Sequence, residues 1–396
     1  MSDRARAPGS GILCVNSGSS SVKFALFVES DGGLDRIGEG AVERSGPSSG
    51  TAWVRSAHSR RELSSIPPGD SATLTLVFDL AERLCGGPPD LVGHRVVHGG
   101  PRHVSPARVG PELLAELDQL VPLAPLHLPA AVKGMRAVAE RWPASIQVAC
   151  FDTAFHATLP EVAWRLPLPA ALIGNQVRRY GFHGFSYEYI MSALGESRPR
   201  RIVIAHLGNG ASLVAVEDGR AVDTTMGLTP TGGIMMGTRS GDLDPGALVF
   251  LSRQHGLSPD DLERICERES GLLAVGGDAD MRALLERASP GSRAALAVSM
   301  FAYGVRKAIG ALAAAMGGLD LLVFTGGIGE HAAEIRAAAC RGLEVLGVDL
   351  DATANAKNAD QVSRASSRCL VRVIPTDEDV VVARHTCRLA EENPDG

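Results

Sequence analysis

Two segments of the chain follow one plan: a short apolar strand, a tight turn of Gly, Ser and Asn, and a second strand carrying a polar tail. The first is ILCVNSGSSSVKFALF from Ile12 to Phe27, and the second is IVIAHLGNGASLVAV from Ile202 to Val216. Self-similarity at half the chain length points to a duplicated domain, because solenoid periods are far shorter. A turn of small residues between strands lines up backbone N–H groups as an anion cradle, so two facing copies could hold a polyphosphate. The repeat therefore predicts a nucleotide cleft.

Composition narrows the class without choosing a reaction. A chain of 396 residues predicts two or three domains, and 45% hydrophobic residues suffice for buried cores. A formal net charge of -6 leaves no electrostatic footprint for a polynucleotide, so no nucleic-acid partner is expected. The seven cysteines (14, 85, 150, 266, 340, 369 and 387) form no CxxC pair and are odd in number, which fits a reducing cytoplasm and offers no credible metal ligand. Met1 to Ser10 carries two arginines but no apolar stretch for a signal sequence. Arg306, Lys307 and Asp320 interrupt the longest apolar region, Ala294 to Phe324, so no single bilayer-spanning helix is expected there.

Hydrophobic periods then change in order along the chain. Residues 11 to 45 predict two or three strands, and 46 to 70, rich in Gly, Pro and Ser, a loop. A helix is predicted over Thr73 to Cys85, a buried strand over Asp90 to His98, a proline-opened helix over Pro129 to Trp142, and a strand over Ile146 to Phe151. The second half repeats this order, with strands over 202 to 225 and helices near 245 to 255, 259 to 268 and 291 to 316. A strand over Leu321 to Phe324, a helix from about His331 to Leu346, a strand over Leu370 to Ile374 and a helix over Glu378 to Glu391 follow. The domain boundary is placed near residue 150.

Polar residues gather in the glycine-rich loops. Asn16 to Lys23 has the composition of a P-loop but lacks the GxxxxGK[ST] spacing and precedes a strand, so the Walker reading is rejected. Thr325-Gly-Gly-Ile-Gly-Glu330 follows an apolar strand and opens a helix, which suits phosphates or adenosine against the turn, although such turns also serve packing alone. In Met236 to Pro245, Arg239 sits near glycines and can present its rigid fork to anionic oxygens, or can pair with Asp242 or Asp244 at the surface. Arg95 lies in so apolar a strand that its charge needs a partner. Asp152 is a candidate for that partner or for a magnesium-side carboxylate. His183 is a candidate donor to a phosphoryl oxygen, whereas His98, His127, His156 and His206 read as structural.

Taken together, VNSGSSSVKF from Val15, HRVVHGG from His94, LAPLH from Leu123, FDTAFH from Phe151, YGFHG from Tyr180, HLGNG from His206, MGTRSGDLDP from Met236, GGIGE from Gly326 and IPTDE from Ile374 resemble the acetate kinase family, within the acetate and sugar kinase/Hsp70/actin superfamily. The resemblance runs from about Gly11 to Leu389. It implies an α/β, duplicated ribonuclease H-like (actin-like ATPase) two-domain fold with an interdomain nucleotide cleft. Residues 1–150, completed by a C-terminal helix 384–396, would form the N-terminal domain, and 151–383 the nucleotide-binding and dimerising one.

The implied reaction is reversible transfer of a phosphoryl group between ATP and acetate, giving ADP and acetyl phosphate in a cytoplasmic homodimer with Mg²⁺ or Mn²⁺ and no membrane partner. The resemblance places Asn16 and Glu378 at the metal, Arg95 and Arg239 on substrate and phosphoryl, and Asp152 and His183 at the transferring group, with Lys23 nearby. It assigns the nucleotide to His206, Leu207, Gly208, Asn209, Gly210, Asp280, Met281, Arg282, Gly327, Ile328, Gly329, Glu330 and His331, and the substrate methyl to Val97, Leu126, Phe182 and Pro230. Leu128, Ala131, Phe185, Tyr187, the pair Thr231-Gly232, and His331 depart from the family's commonest residues. A propionate or butyrate kinase, or an ATP-gated binding module on the same fold, are the competing readings.

Overall fold

The computed structural model describes residues 11–18, 21–46, 49–56, 59–63 and 70–392. The chain divides into two compact units, Met1–Ala154 with Asp377–Gly396, and Phe155–Thr376. The divisions fall at 154/155 and 376/377, where the sequence reading placed them at 150/151 and 383/384. Helix Glu378–Glu391 is one continuous element, so it enters the first unit whole.

In the first unit the strands are β1 (Gly11–Ser17), β2 (Ser21–Ser30), β3 (Gly33–Gly46), β4 (Ser49–Ser56), β5 (Ser59–Leu63), β6 (Leu91–Val96), β7 (Ala107–Arg108) and β8 (Ile146–Phe151). They form one sheet in the order β5-β4-β3-β2-β1-β6-β8-β7. In the second unit β9 (Arg201–Leu207), β10 (Ala211–Glu217), β11 (Arg220–Thr224), β12 (Leu321–Thr325) and β13 (Leu370–Val373) form a sheet in the order β11-β10-β9-β12-β13. The repeat read in the sequence is thus a repeat of topology. β3-β2-β1 and β11-β10-β9 are antiparallel meanders, and β6-β8 and β12-β13 extend β1 and β9 in parallel. This is the duplicated ribonuclease H-like plan.

The strands are apolar because helices cover them. Leu13, Val15, Phe24, Leu26 and Val92 pack with Val77, Phe78 and Ala81 of helix Asp70–Cys85 in one core cluster. Val96, Ala149 and Phe151 pack with Leu117, Val132 and Met135 from helices Pro111–Leu120 and Leu128–Arg141 in another. In the second unit Ile202, Ile204, Val214, Leu321 and Val323 pack with Tyr187 and Ile190 of helix Gly184–Leu194. Both mixed sheets carry candidate site residues at the carboxyl ends of their parallel strands, where α/β folds place ligands.

Three expectations are corrected. Within the predicted loop of 46 to 70, the described residues 49–56 and 59–63 are strands: β4 pairs antiparallel with β3, and β5 with β4. Ala52 is buried, while Arg55, Arg60, Arg61 and Glu62 are exposed, as suits a charged sheet edge. The helix predicted from His331 to Leu346 is broken into Gly326–His331, Ala333–Cys340 and a 3₁₀ turn Glu344–Leu346. The carbonyls of Gly329 and Glu330, which a continuous helix would bond internally, instead accept from the buried Arg336 guanidinium at 2.9 and 3.0 Å. Lastly, helix Arg293–Ala315 ends before Asp320, so by length and composition alone it could cross a membrane. Its buried face of Ala297, Phe301, Val305, Ile309 and Leu312 packs on β9 and β10, as a core helix does. Met1–Ser10, Ser19, Ser20 and residues 47–48, 57–58, 64–69 and 393–396, which carried parts of the readings above, including the end of the expected C-terminal helix 384–396, lie outside the described residues.

Candidate active site

In the first unit the ends of three adjacent parallel strands gather the charged groups. Arg95 ends β6 opposite Cys150 of β8, and the Asp152 amide, just past β8, donates to the Val96 carbonyl at 2.9 Å. The Arg95 guanidinium bridges two carboxylates: Nη2 donates to Asp152 Oδ2 at 2.9 Å and Nη1 to Glu378 Oε2 at 2.5 Å. Asp152 is therefore the partner that the apolar strand required. Burial alone would lower the Arg95 pKa, but the charges of Asp152 and Glu378 more than offset it and hold it above the ordinary range. Burial raises the Glu378 pKa, with Arg95 opposing and Asp152 reinforcing the shift.

Glu378 opens helix Glu378–Glu391, whose N-cap Asp377 accepts from the Val380 amide at 3.2 Å. Acidic side chains are favoured there by the helix dipole. Arg36 steadies this turn by donating to Asp377 at 2.5 Å and Asp379 at 3.2 Å. Asn16 and Lys23 face each other on the last rungs of the β1–β2 hairpin, and the Lys23 charge acts on Glu378. No group of three or more His, Cys, Asp or Glu side chains among the described residues could hold a metal ion, and the oxygen donors at these strand ends are the Asp152 and Glu378 carboxylates, which share the Arg95 guanidinium, and the Asn16 amide on β1. That donor chemistry fits a magnesium ion, which binds few protein oxygens and keeps several waters.

In the second unit the groups converge on Gly210. A Cβ placed there would lie 3.2 Å from His183 Nε2 and 3.4 Å from Arg239 Nη1, so glycine keeps both groups close about one point. Arg239 makes no ion pair among the described residues; Nη1 reaches the Pro230 carbonyl at 3.3 Å and Met236 Sδ at 3.8 Å. Burial lowers its pKa, with partial compensation from Glu267. The surface pairs considered from sequence do not form. Asp242 accepts from the Gly233 amide at 2.7 Å, and Asp244 caps helix Pro245–His255 through the Gly246 amide at 2.9 Å.

His183 adopts φ 59°, in the left-handed region, at the N-cap of helix Gly184–Leu194. Such a backbone costs on the order of 1 to 3 kcal/mol outside glycine and concentrates at functional sites. The His183 ring stacks on His206 with centroids 4.3 Å apart. His183 Nδ1 lies 2.8 Å from Ser212 Oγ, and His206 Nδ1 lies 2.8 Å from Ser186 Oγ.

The remaining candidates divide by exposure. Asn209, Arg282, Gly327 and His331 are exposed, Gly208 and Ile328 half-buried. Leu207, Met281 and Gly329 are buried, so a ligand could meet only their backbone. Asp280 caps helix Met281–Glu286 by accepting from the Arg282 amide at 2.8 Å. Glu330 Oε1 accepts from the Gly326 amide at 2.9 Å, tying down the turn it ends. Of the proposed methyl contacts, Phe182 is buried and Pro230 half-buried in the second unit. Val97 and Leu126 are half-buried in the first, and β6 has ended before Val97.

The departures have local reasons. Leu128 and Ala131 lie in the apolar cluster under β8, Thr231 Oγ1 donates to Glu267 at 3.0 Å, and Phe185 and Tyr187 are buried. Sequence reasoning missed Ser212, Ser186, Arg36 and the Tyr187 hydroxyl as supports of the site. Ser212 pairs with His206 across the β9–β10 hairpin, a register that the repeat with Asn16 and Lys23 could have disclosed.

The acetokinase family model matches residues 11–384. A Rhodopseudomonas palustris protein named acetate kinase is 44% identical over 393 residues, covering 96% of this chain and 98% of the relative. One from Leifsonia xyli is 43% identical over 390 residues, covering 95% and 98%. The crystal structure of Porphyromonas gingivalis acetate kinase is similar with a TM-score of 0.87 at 37% identity, covering 96% of this chain and all of that one. That of a Francisella tularensis propionate kinase gives 0.90 at 34% identity, covering 96% and 99%. A duplicated sheet with its polar groups at the strand ends, matched along nearly its whole length, thus places the chain in the acetokinase family.

Proposed function

We propose that this protein transfers a phosphoryl group reversibly between ATP and acetate, giving ADP and acetyl phosphate. The observation that carries the proposal is Arg239, a half-buried guanidinium that makes no ion pair among the described residues and converges with His183 Nε2 on Gly210. A cation partly withdrawn from water and left without an ion pair gains from an anion that completes it, and a phosphoryl group offers oxygens that match the guanidinium fork.

Acetate, with a carboxyl pKa in the range of about 4 to 5, is ionised at neutral pH and attacks phosphorus without a general base. Asp152 therefore serves to orient Arg95, which holds the acetate carboxylate. As the new O–P bond forms, the bond from phosphorus to the β,γ-bridging oxygen breaks and its electron pair leaves with ADP. Arg239 and the His183 Nε2–H hold the equatorial phosphoryl oxygens, where charge concentrates during transfer. Magnesium, held by Asn16 and Glu378, would supply charge neutralisation at the phosphates. By the family resemblance, His206 to Gly210, Asp280 to Arg282 and Gly327 to His331 would hold the nucleotide and Lys23 would serve its phosphates, while Val97 and Leu126 of the first unit and Phe182 and Pro230 of the second would be the residues for the methyl.

The likeness to a propionate kinase structure supports a second reading, that propionate is also accepted. Assay of acyl phosphate formation from acetate, propionate and butyrate with ATP and GTP tests both. Acetate with ATP is expected to give the highest kcat/KM, and no acyl phosphate from any of the acids would end the proposal.

We also propose a cytoplasmic homodimer. Helix Pro245–His255 has no buried residue yet carries Val249, Phe250 and Leu251, and helix Arg293–Ala315 exposes Leu296, Met300 and Tyr303 on one stripe. Apolar surface of this kind marks association. Light scattering on Phe250→Glu is expected to report monomer where the wild type reports dimer.

A further inference from the structure

The third hydrogen-bonded group behind His183 comes from a residue that the family resemblance leaves unexplained. Tyr187 stands where the family's commonest residue is a histidine, one turn along helix Gly184–Leu194 from His183. Its side chain is fully buried, and so is that of Ser212 on β10. The Tyr187 hydroxyl makes a short hydrogen bond to Ser212 Oγ, and Ser212 Oγ lies 2.8 Å from His183 Nδ1. The three polar groups therefore form a chain that ends on the imidazole.

We propose that Tyr187 is a positioning residue that sets the tautomer of His183 through Ser212, a reading that rests on the phosphoryl-transfer function above. A phenol, with a pKa of about 10, is a much stronger acid than an aliphatic hydroxyl. The Tyr187 O–H is accordingly the donor in its bond to Ser212. Accepting that proton leaves the single Ser212 O–H to donate onward, and its acceptor is His183 Nδ1. A neutral imidazole that accepts at Nδ1 carries its proton at Nε2. Nε2 is the ring nitrogen that approaches Gly210, 3.2 Å from where a Cβ would stand, with Arg239 Nη1 3.4 Å from the same point. The chain thus presents a fixed N–H donor, with no proton moved in the reaction, where a phosphoryl oxygen would sit.

His206 repeats the device in shorter form. Its Nδ1 meets the buried Ser186 Oγ, and its ring stacks on that of His183. The two imidazoles are held face to face, so tilting one ring would disturb the other.

The test is ¹⁵N NMR of the full-length protein with labelled histidine rings, the His183 signal being assigned by its loss in His183→Gln. In the wild type the expected result is a single neutral tautomer with the proton on Nε2. In Tyr187→Phe, which removes only the hydroxyl, that signal should shift toward a tautomer mixture. Its kcat should fall about 3- to 10-fold, the range for one neutral hydrogen bond, with KM for ATP and acetate within about 2-fold of wild type. Ser212→Ala, which leaves the ring in place, should shift the same signal and serves if Tyr187→Phe fails to fold. A wild-type His183 protonated on Nδ1, or an unchanged signal and kcat in the folded variants, would overturn the proposal. The NMR result does not depend on turnover: the Nε2–H tautomer in a protein that makes no acyl phosphate would sink the kinase reading and leave the relay standing.

Discussion

The two units use arginine in opposite ways. Arg95 is clamped between Asp152 and Glu378 and its charge is answered within its own unit, whereas Arg239 is half-buried against a carbonyl and a thioether, with no ion pair among the described residues. Their pKa values move accordingly, up for Arg95 and down for Arg239. A neutralised guanidinium is pre-oriented, so removing it leaves two carboxylates without their cation. An unanswered one is a standing cost that an incoming anion relieves. On the proposed function, Arg95 would serve the architecture as well as the chemistry, and Arg239 the chemistry alone.

The largest effect that could break this comparison is on turnover. Arg239→Ala should lower kcat by a factor on the order of 10³ or more, as for arginines facing a transferring phosphoryl group. Arg239→Lys should recover little, because an ammonium keeps the charge and loses the fork. Steady-state kinetics of the two variants decides; a lysine variant close to wild type would remove the bidentate role.

Next in size is stability. Arg95→Ala leaves Asp152 and Glu378 without their shared cation and should destabilise the protein by about 3 to 5 kcal/mol, the usual result of breaking a buried pair from one side. Urea unfolding of Arg95→Ala, with a midpoint equal to wild type, would show that the carboxylates do not need the arginine. Removing one acid has a narrower consequence. Glu378→Ala should raise the magnesium concentration giving half-maximal rate, and an unchanged titration would clear Glu378 of that role.

Smaller again is the choice of acid. Val97 lies beyond the end of β6, half-buried, so it is available as a wall rather than fixed as strand core. Val97→Ala should raise the propionate-to-acetate ratio of kcat/KM by roughly 10-fold, since one methylene in an apolar pocket is worth about 1 to 3 kcal/mol. An unchanged ratio with a lowered melting temperature would return Val97 to packing.

The smallest effect lies away from the charged cluster. His94 is buried against Gln147, and burial pushes its pKa down to about 4 despite that hydrogen bond. The unfolded chain, with His near 6.5, binds the proton first, so this contribution to stability is complete above about pH 6.5 and lost as pH falls toward 4. His94→Gln should flatten the loss in that window, measured as melting temperature against pH.

Much of the fold was legible because strand and helix periods are strong where one face is buried. β8 and helix Glu378–Glu391 fall on the predicted residues, and the duplicated strand-turn-strand segments became duplicated sheets. The edge strands β4 and β5 were not legible, since their ladders hold charged side chains over a Gly- and Ser-rich stretch. The break at Ala332 was hidden because its cause, Arg336 drawing carbonyls out of the helix, is a contact and not a pattern. In the site, the need of Arg95 for a partner could be read from its apolar strand. The supports of His183 could not, because Tyr187 and Ser212 meet through folding and leave no spacing signature.

The contrast between the arginines is tested most directly by measuring melting temperature and kcat together for Arg239→Met, which keeps much of the side-chain volume and removes the charge. The account predicts a melting temperature equal to or above wild type, since a half-buried cation without an ion pair has been removed, with kcat reduced by about 10³-fold or more. A protein that melts several degrees lower while turning over near the wild-type rate would contradict it, and would assign Arg239 to structure rather than to the phosphoryl group.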